Sequence, residues 1–249
     1  MLYTFLMEPY YNGFFLSPTD GNMLFAQSPQ PLRVAPLLSV KDFAEVKKNM
    51  ALEEEKFAFA EKDENQKTLS FHGLKNFLCR EKSPSQRIYL FDNHNHALFF
   101  RYQEYLTSRK ICKVIHIDQH SDLWENQFSL PDDLLAADRS PEVFQFTQKY
   151  CNVGNFLPPA LKSGLISEVI QIRSESVFFA LRENFLKESY ILDIDLDFWA
   201  PEMSIDLQKC LPQLKLIAEN AVAVTIATSP YFLEQKKALQ MVEEILLFL

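Results

Sequence analysis

Glycine is scarce in this chain. There are five in 249 residues, and none falls in a GxGxxG, P-loop or GxSxG arrangement. The missing signatures exclude the usual loops for dinucleotide or nucleoside triphosphate binding and the serine-hydrolase elbow. Cysteine is sparser still. Cys79, Cys112, Cys151 and Cys210 stand far apart with no CxxC pair, which excludes a zinc knuckle or a disulfide framework and fits free thiols in a reducing cytosol. Positive charge is in deficit as well. The formal net charge is −8, so an electrostatic grip on nucleic acid or anionic lipid is not expected. No uninterrupted apolar run approaches the ~20 residues of a membrane span. The first fifteen residues lack a basic leader segment, and Glu8 interrupts their apolar stretch, unlike a signal peptide. The expectation is a cytoplasmic protein with neither nucleic acid nor membrane as partner.

What is present is enough apolar residue, 47%, for one sizeable core. Strand-like runs at 88–91, 114–117, 169–172, 191–194 and 222–226 alternate with helical patterns at 96–108, 141–149, 175–185, 205–220 and 233–249. Alternation of this kind predicts βαβ units: an α/β fold in three layers, with a mostly parallel sheet and helices on both faces. A single domain over 1–249 is expected, with 87–249 as the sheet core and 1–86 as an N-terminal elaboration. In that elaboration the pattern predicts strands at 4–7 and 13–17, a helix from 39 towards 54, and a loop over 61–67. Pro158-Pro159 reads as a chain break, and Pro212 as a kink or split in its helix.

Chemistry-bearing side chains fall in three bursts: His94 and His96; Asp118, His120 and Asp122; Asp193, Asp195 and Asp197. Asp92, Asp118 and Asp193 each sit at the carboxyl end of a predicted strand, where open α/β sheets bind their ligands. In an extended segment alternate residues point the same way, so Asp118-x-His120-x-Asp122 and Asp193-x-Asp195 form two forks. Four aspartates with imidazole and no thiolate suit manganese, with iron(II), cobalt and zinc as competitors. Such a cluster is costly unless cations neutralise it. Two cations sharing carboxylates make metal-assisted hydrolysis the expected chemistry. No basic cluster near the motifs is available to grip a phosphoester. His116, inside a predicted strand, reads as a core or supporting histidine rather than a ligand.

Asn93-His94-Asn95-His96-Ala97-Leu98, Asp118-Gln119-His120-Ser121-Asp122 and Leu192-Asp193-Ile194-Asp195 resemble, in chain order, the three metal-binding motifs of the arginase/deacetylase (ureohydrolase) superfamily. Their wording is most similar to its peptide arginase-like family, over roughly 89–232. The resemblance implies two Mn²⁺ ions, one held by His96, Asp118, Asp122 and Asp193, the other by His120, Asp118, Asp193 and Asp195. His96 is preferred to His94 because Ala97-Leu98 follows it. The implied catalytic residues are Asp118, as a bridging ligand, and Asp122, which moves a proton to the leaving amine. The implied reaction converts arginine side chains in a peptide or protein to ornithine, with release of urea.

Two departures from the motifs bear on substrate. Leu157 in Gly154-Asn155-Phe156-Leu157 stands where arginases carry a proton-shuttle histidine. Ala227 in Thr225-Ile226-Ala227-Thr228-Ser229-Pro230 stands where they carry a guanidinium-binding glutamate. Guanidinium recognition then falls to another acid, Asp197 ahead of Glu125 and Glu202, with His94 and Asn155 as further substrate contacts. Trp124, Phe198, Trp199 and Tyr231 are candidates to line a peptide groove. The alternatives are another metal-dependent C–N hydrolase, such as an amidohydrolase or small-molecule ureohydrolase, and a metal-stabilised binding protein without turnover.

Overall fold

Short runs of Val, Ile, Leu and aromatic residues, buried on both faces, build the sheet that positions everything else. The computed structural model describes residues 9–17, 24, 28, 30–83, 86–181 and 188–249. Its strands are β1 (Phe14–Leu16), β2 (Leu32–Val34), β3 (Leu37–Val40), β4 (Leu52–Lys62), β5 (Thr68–Leu74), β6 (Phe77–Ser83), β7 (Gln86–Phe91), β8 (Cys112–Ile117), β9 (Ile166–Ile172), β10 (Tyr190–Asp195) and β11 (Ala223–Ala227). Its helices are α1 (Phe43–Asn49), α2 (Ala97–Ser108), α3 (Ser140–Lys149), α4 (Leu157–Lys162), α5 (Glu175–Ala180), α6 (Leu207–Glu219) and α7 (Gln235–Phe248).

Seven strands form one sheet in the order β3-β6-β7-β11-β10-β8-β9. The five from β7 to β9 in that order pair in parallel, while β6 pairs antiparallel with β7 and parallel with β3. The fold is therefore α/β with a mostly parallel sheet flanked by helices. Every residue of β7, β10 and β11 is buried, as strands covered on both faces must be. The carboxyl ends of β7, β11, β10 and β8 lie side by side, and backbone bonds from Thr228 to Phe91 (3.0 Å) and Ser229 to Asp92 (2.9 Å) extend that edge.

The N-terminal third is woven into this sheet rather than set beside it. Strands β3 and β6 extend the β7 edge, so the sheet begins at Leu37 and not near residue 87. The rest of this region forms two antiparallel pairs, β1–β2 and β4–β5. The expected helix from 39 towards 54 is shorter. Asp42 Oδ1 caps it by accepting from Glu45 N (2.9 Å), and the chain turns into β4 after Asn49 because residues 52–62 find a hairpin partner in β5. That hairpin takes in Glu61 and Lys62, leaving a tight turn at 63–67 in which Asp63 Oδ1 accepts from Asn65 N and Lys67 N. Pro158-Pro159 does not break the chain. Both prolines lie in the first turn of α4, where a missing N–H costs nothing. Pro212 lies inside α6, which continues through it. The strand expected at 4–7 lies outside the described residues, as does the end of the helix expected over 175–185. No described helix is long and apolar enough to cross a membrane, and all four cysteines are free.

Gly73 in β5 marks where the hairpin meets the sheet edge. A methyl group there would lie 2.4 Å from Asp92 Oδ2 and 2.6 Å from Ala58 Cβ. Gly73→Ala should therefore lower stability by about 1–3 kcal/mol, read as a drop in the urea midpoint with an unchanged slope.

Candidate metal centre

Strand alternation, two short turns and one left-handed residue assemble the cluster. Asp193 and Asp195 point to one side of β10. The chain then enters a 3-10 turn, Leu196–Trp199, where Asp195 Oδ1 accepts from Asp197 N (3.0 Å) and brings Asp197 alongside. After β8, Asp118 Oδ1 accepts from His120 N (2.5 Å), and Asp122 adopts φ +53°, a left-handed backbone that aspartate tolerates better than most residues. His94 opens the 3-10 turn after β7.

His94 Nδ1 lies 3.1 Å from Asp118 Oδ2, 3.0 Å from Asp122 Oδ2 and 3.2 Å from Asp195 Oδ2. His120 Nδ1 lies 3.5 Å from Asp118 Oδ1 and 2.9 Å from Asp197 Oδ2. Four overlapping groups could each hold a metal ion: His94–His116–Asp193, His94–Asp118–Asp195, His116–Asp118–Asp122 and Asp118–His120–Asp197. Asp118 belongs to three of them and meets His94 through Oδ2 and His120 through Oδ1. His94, Asp118 and Asp197 are fully buried and His120 is partly open.

The donor set fits divalent cations. His94 Nδ1, Asp118 Oδ2 and Asp122 Oδ2 are buried without a hydrogen-bond partner, although they stand at contact distance. Two ligands at right angles on one ion, each about 2.1 Å from it, are themselves about 3.0 Å apart. Lone pairs at this spacing, misaligned for bonding to each other, match a shared ion.

Within the cluster, protonated histidines offset the carboxylates. Burial pulls His116 and His120 down, but their aspartate contacts outweigh it and raise them to about 9 and about 10. His94 is likewise held well above its ordinary value by Asp193, Asp118 and Asp122 against burial. Asp118 is driven well below the carboxylate range, its histidine neighbours overcoming burial. Burial, then the charge of Asp118, lifts Asp122 to about 7. Burial, then Asp195 and Asp118, lifts Asp197 well above the ordinary carboxylate value.

The structure brings some of the motif residues together and sets others apart. Asp118, His120, Asp122 and Asp195 come together as anticipated. His96 stands outside the cluster. Its Nδ1 lies 3.0 Å from the Tyr11 hydroxyl, its ring packs edge-on against Phe77, and burial drives its pKa down to about 3. His94, expected at most to touch substrate, is the histidine facing the carboxylates. Asp197, expected on guanidinium, joins His120 and Asp118. Asp193 turns inward, where Oδ2 meets Arg101 Nη2 (2.5 Å), His116 Nδ1 (2.8 Å) and His94 Nε2 (3.0 Å), and Oδ1 accepts from Thr225 Oγ1 (2.5 Å). Arg101 is the residue that motif reading missed. It is fully buried on α2 with its guanidinium over the Phe156 ring, and the only signal was a charge within an apolar helical run.

A cavity of about 360 Å³ opens over the cluster, lined by His120, Asp122, Asp195, Trp124, Tyr231, Phe232 and neighbours including Arg173. Its only acids among the described residues are Asp122 and Asp195. Glu125, Glu202 and Asn155 do not line it, and Asn155 Oδ1 instead accepts from Asn152 N (2.8 Å). Phe198 and Trp199 are buried in the core. Ala227, opposite Asp195 in register, and Leu157, at the start of α4, are buried and carry no polar group to the cavity.

No family model and no curated protein matches this chain. Among solved structures it is similar to the crystal structure of a hypothetical agmatinase from Burkholderia thailandensis, at 14% identity and a TM-score of 0.45, over 65% of this chain and 57% of that one. The chain thus spans little more than half of that neighbour.

Adding Mn²⁺ or Zn²⁺ at a thousandfold excess over Kd should stabilise the protein by about 4 kcal/mol, visible as a rise in Tm. His94→Ala should abolish the rise and His96→Ala should retain it. Because the imidazoles must lose protons to bind, apparent affinity should climb as pH rises towards 9. Calorimetry in buffers of different ionisation enthalpy should show protons released on binding.

Proposed function

We propose that the protein is a dinuclear metal-dependent hydrolase of the ureohydrolase kind, acting on a C–N bond of a peptide-borne arginine side chain. The observation that carries this reading is the pair of ligand groups joined by Asp118 on the floor of the cavity. On this reading His94, Asp118 and Asp195, with Asp122 beside them, hold one cation, and Asp118, His120 and Asp197 hold the other. This ligand set replaces His96 with His94 and moves the third motif two residues on, from Asp193/Asp195 to Asp195/Asp197. The charges balance. Arg101 offsets one of the five clustered aspartates, and the other four carboxylates match two dications.

Bound divalent cations supply an activated water near neutral pH and polarise the electrophile. The chain's own residues do the rest. Asp122, buried and lining the cavity, is placed to carry a proton to the leaving nitrogen. Trp124, Tyr231 and Phe232 hold the aliphatic part of the substrate and exclude water. Trp124 both lines the cavity and is exposed, and Leu123, Phe128 and Tyr150 are exposed as well, apolar surface of a kind that suits a polypeptide more than a free amino acid.

A second reading, hydrolysis of another C–N bond such as an amide, is favoured by one observation. Among the described residues the cavity offers no carboxylate beyond the cluster itself to receive a guanidinium, and Arg173 lines it.

Incubation of the metal-loaded protein with arginine-containing peptides should remove roughly 42 Da per modified residue, the mass change of guanidinium hydrolysis at a metal site, and Asp122→Asn should lose at least about 100-fold in rate. Turnover of acylated amines with no mass loss from any arginine peptide would select the second reading.

A further inference from the structure

We propose that His116 is an additional metal ligand, acting through Nε2 beside Asp118 and Asp122, and that Arg101 and Asp193 position it. The inference rests on the metal-centre reading above and adds a ligand that the motifs do not contain.

The sequence Val114-Ile115-His116-Ile117 places the imidazole near the carboxyl end of β8, fully buried, with Asp193 as its register partner on β10. An ionised carboxylate only accepts, so the 2.8 Å contact with Asp193 Oδ2 puts a hydrogen on His116 Nδ1. Nε2 is then free to offer a lone pair. It is buried without a hydrogen-bond partner, 3.3 Å from Asp118 Oδ2 and 4.0 Å from Asp122 Oδ2, and both of those oxygens are partnerless too. Three such atoms facing one another in the core carry a large desolvation cost. One cation among them removes it.

Asp193 is engaged by four neighbours. Thr225 takes one oxygen, and His94, His116 and Arg101 crowd the other. It therefore serves as a positioning residue for two imidazoles, His94 and His116, whose rings stack at 5.2 Å with 14° between planes. A carboxylate behind a ligating histidine fixes its tautomer and orientation, and here the guanidinium of Arg101 holds that carboxylate in place. The resulting centre has three imidazoles rather than two. Added imidazole shifts preference away from manganese towards zinc, cobalt or iron(II).

The test uses the full chain, stripped of metal and reloaded with Co²⁺. Proton NMR should show two buried, slowly exchanging, paramagnetically shifted imidazole N–H resonances, those of His94 and His116 hydrogen-bonded to Asp193. A single such resonance with cobalt fully bound would overturn the role of His116 and leave the metal centre standing. Failure to bind any cobalt, zinc or manganese would overturn both. In competition against equimolar Mn²⁺, elemental analysis should find Zn²⁺ retained by the wild-type chain. Asp193→Asn should weaken zinc binding about 10–100-fold, the range for a lost supporting bond, at unchanged stoichiometry. His116→Phe should weaken it beyond that range, and an unchanged affinity in a folded His116→Phe protein would also overturn the proposal.

Discussion

Five aspartate side chains crowd the carboxyl ends of adjacent parallel strands, and their mutual repulsion is the constraint around which the rest is arranged. A buried carboxylate without a counter-charge does not stay ionised. The counter-charges among the described residues are three histidines and one arginine, and the histidines reach the cluster from the turns after β7 and β8 and from the last residues of β8 itself. The sheet order that places β8 beside β10, and β7 beside β11, is what brings them within 3–4 Å of the aspartates.

Much of this was legible in the sequence. The five parallel strands fall where apolar runs of four to six residues alternate with helical periodicity, and the acids follow the strand ends as the α/β rule requires. The register within motifs was not legible. Asp193-x-Asp195 and Asp195-x-Asp197 have the same spacing, and so do His94 and His96 relative to their strand. Alternation alone cannot choose between them, and the choice is made by partners distant in sequence. Tyr11, Phe77 and Phe91 enclose His96 in an aromatic box, and Arg101 from the next helix pulls Asp193 inward.

The N-terminal third illustrates the other limit of pattern reading. Residues 52–62 carry enough charge to look helical or irregular at their start and a loop at their end. Their partner in β5 makes them a strand, because cross-strand packing decides half-buried segments more than propensity does. The consequence reaches the centre. The hairpin presses Gly73 and Ala58 against Asp92 and Asn93, so the turn that carries His94 is braced by sequence far upstream.

The His120 side chain is 40% exposed, whereas those of Asp122 and Asp195 are each only 4% exposed and His94 is sealed. His120 is thus the open side of the cluster. On the proposed reading, an ion held by His120 would exchange with solvent and chelators faster than one held against His94, two chemically similar positions parted by depth.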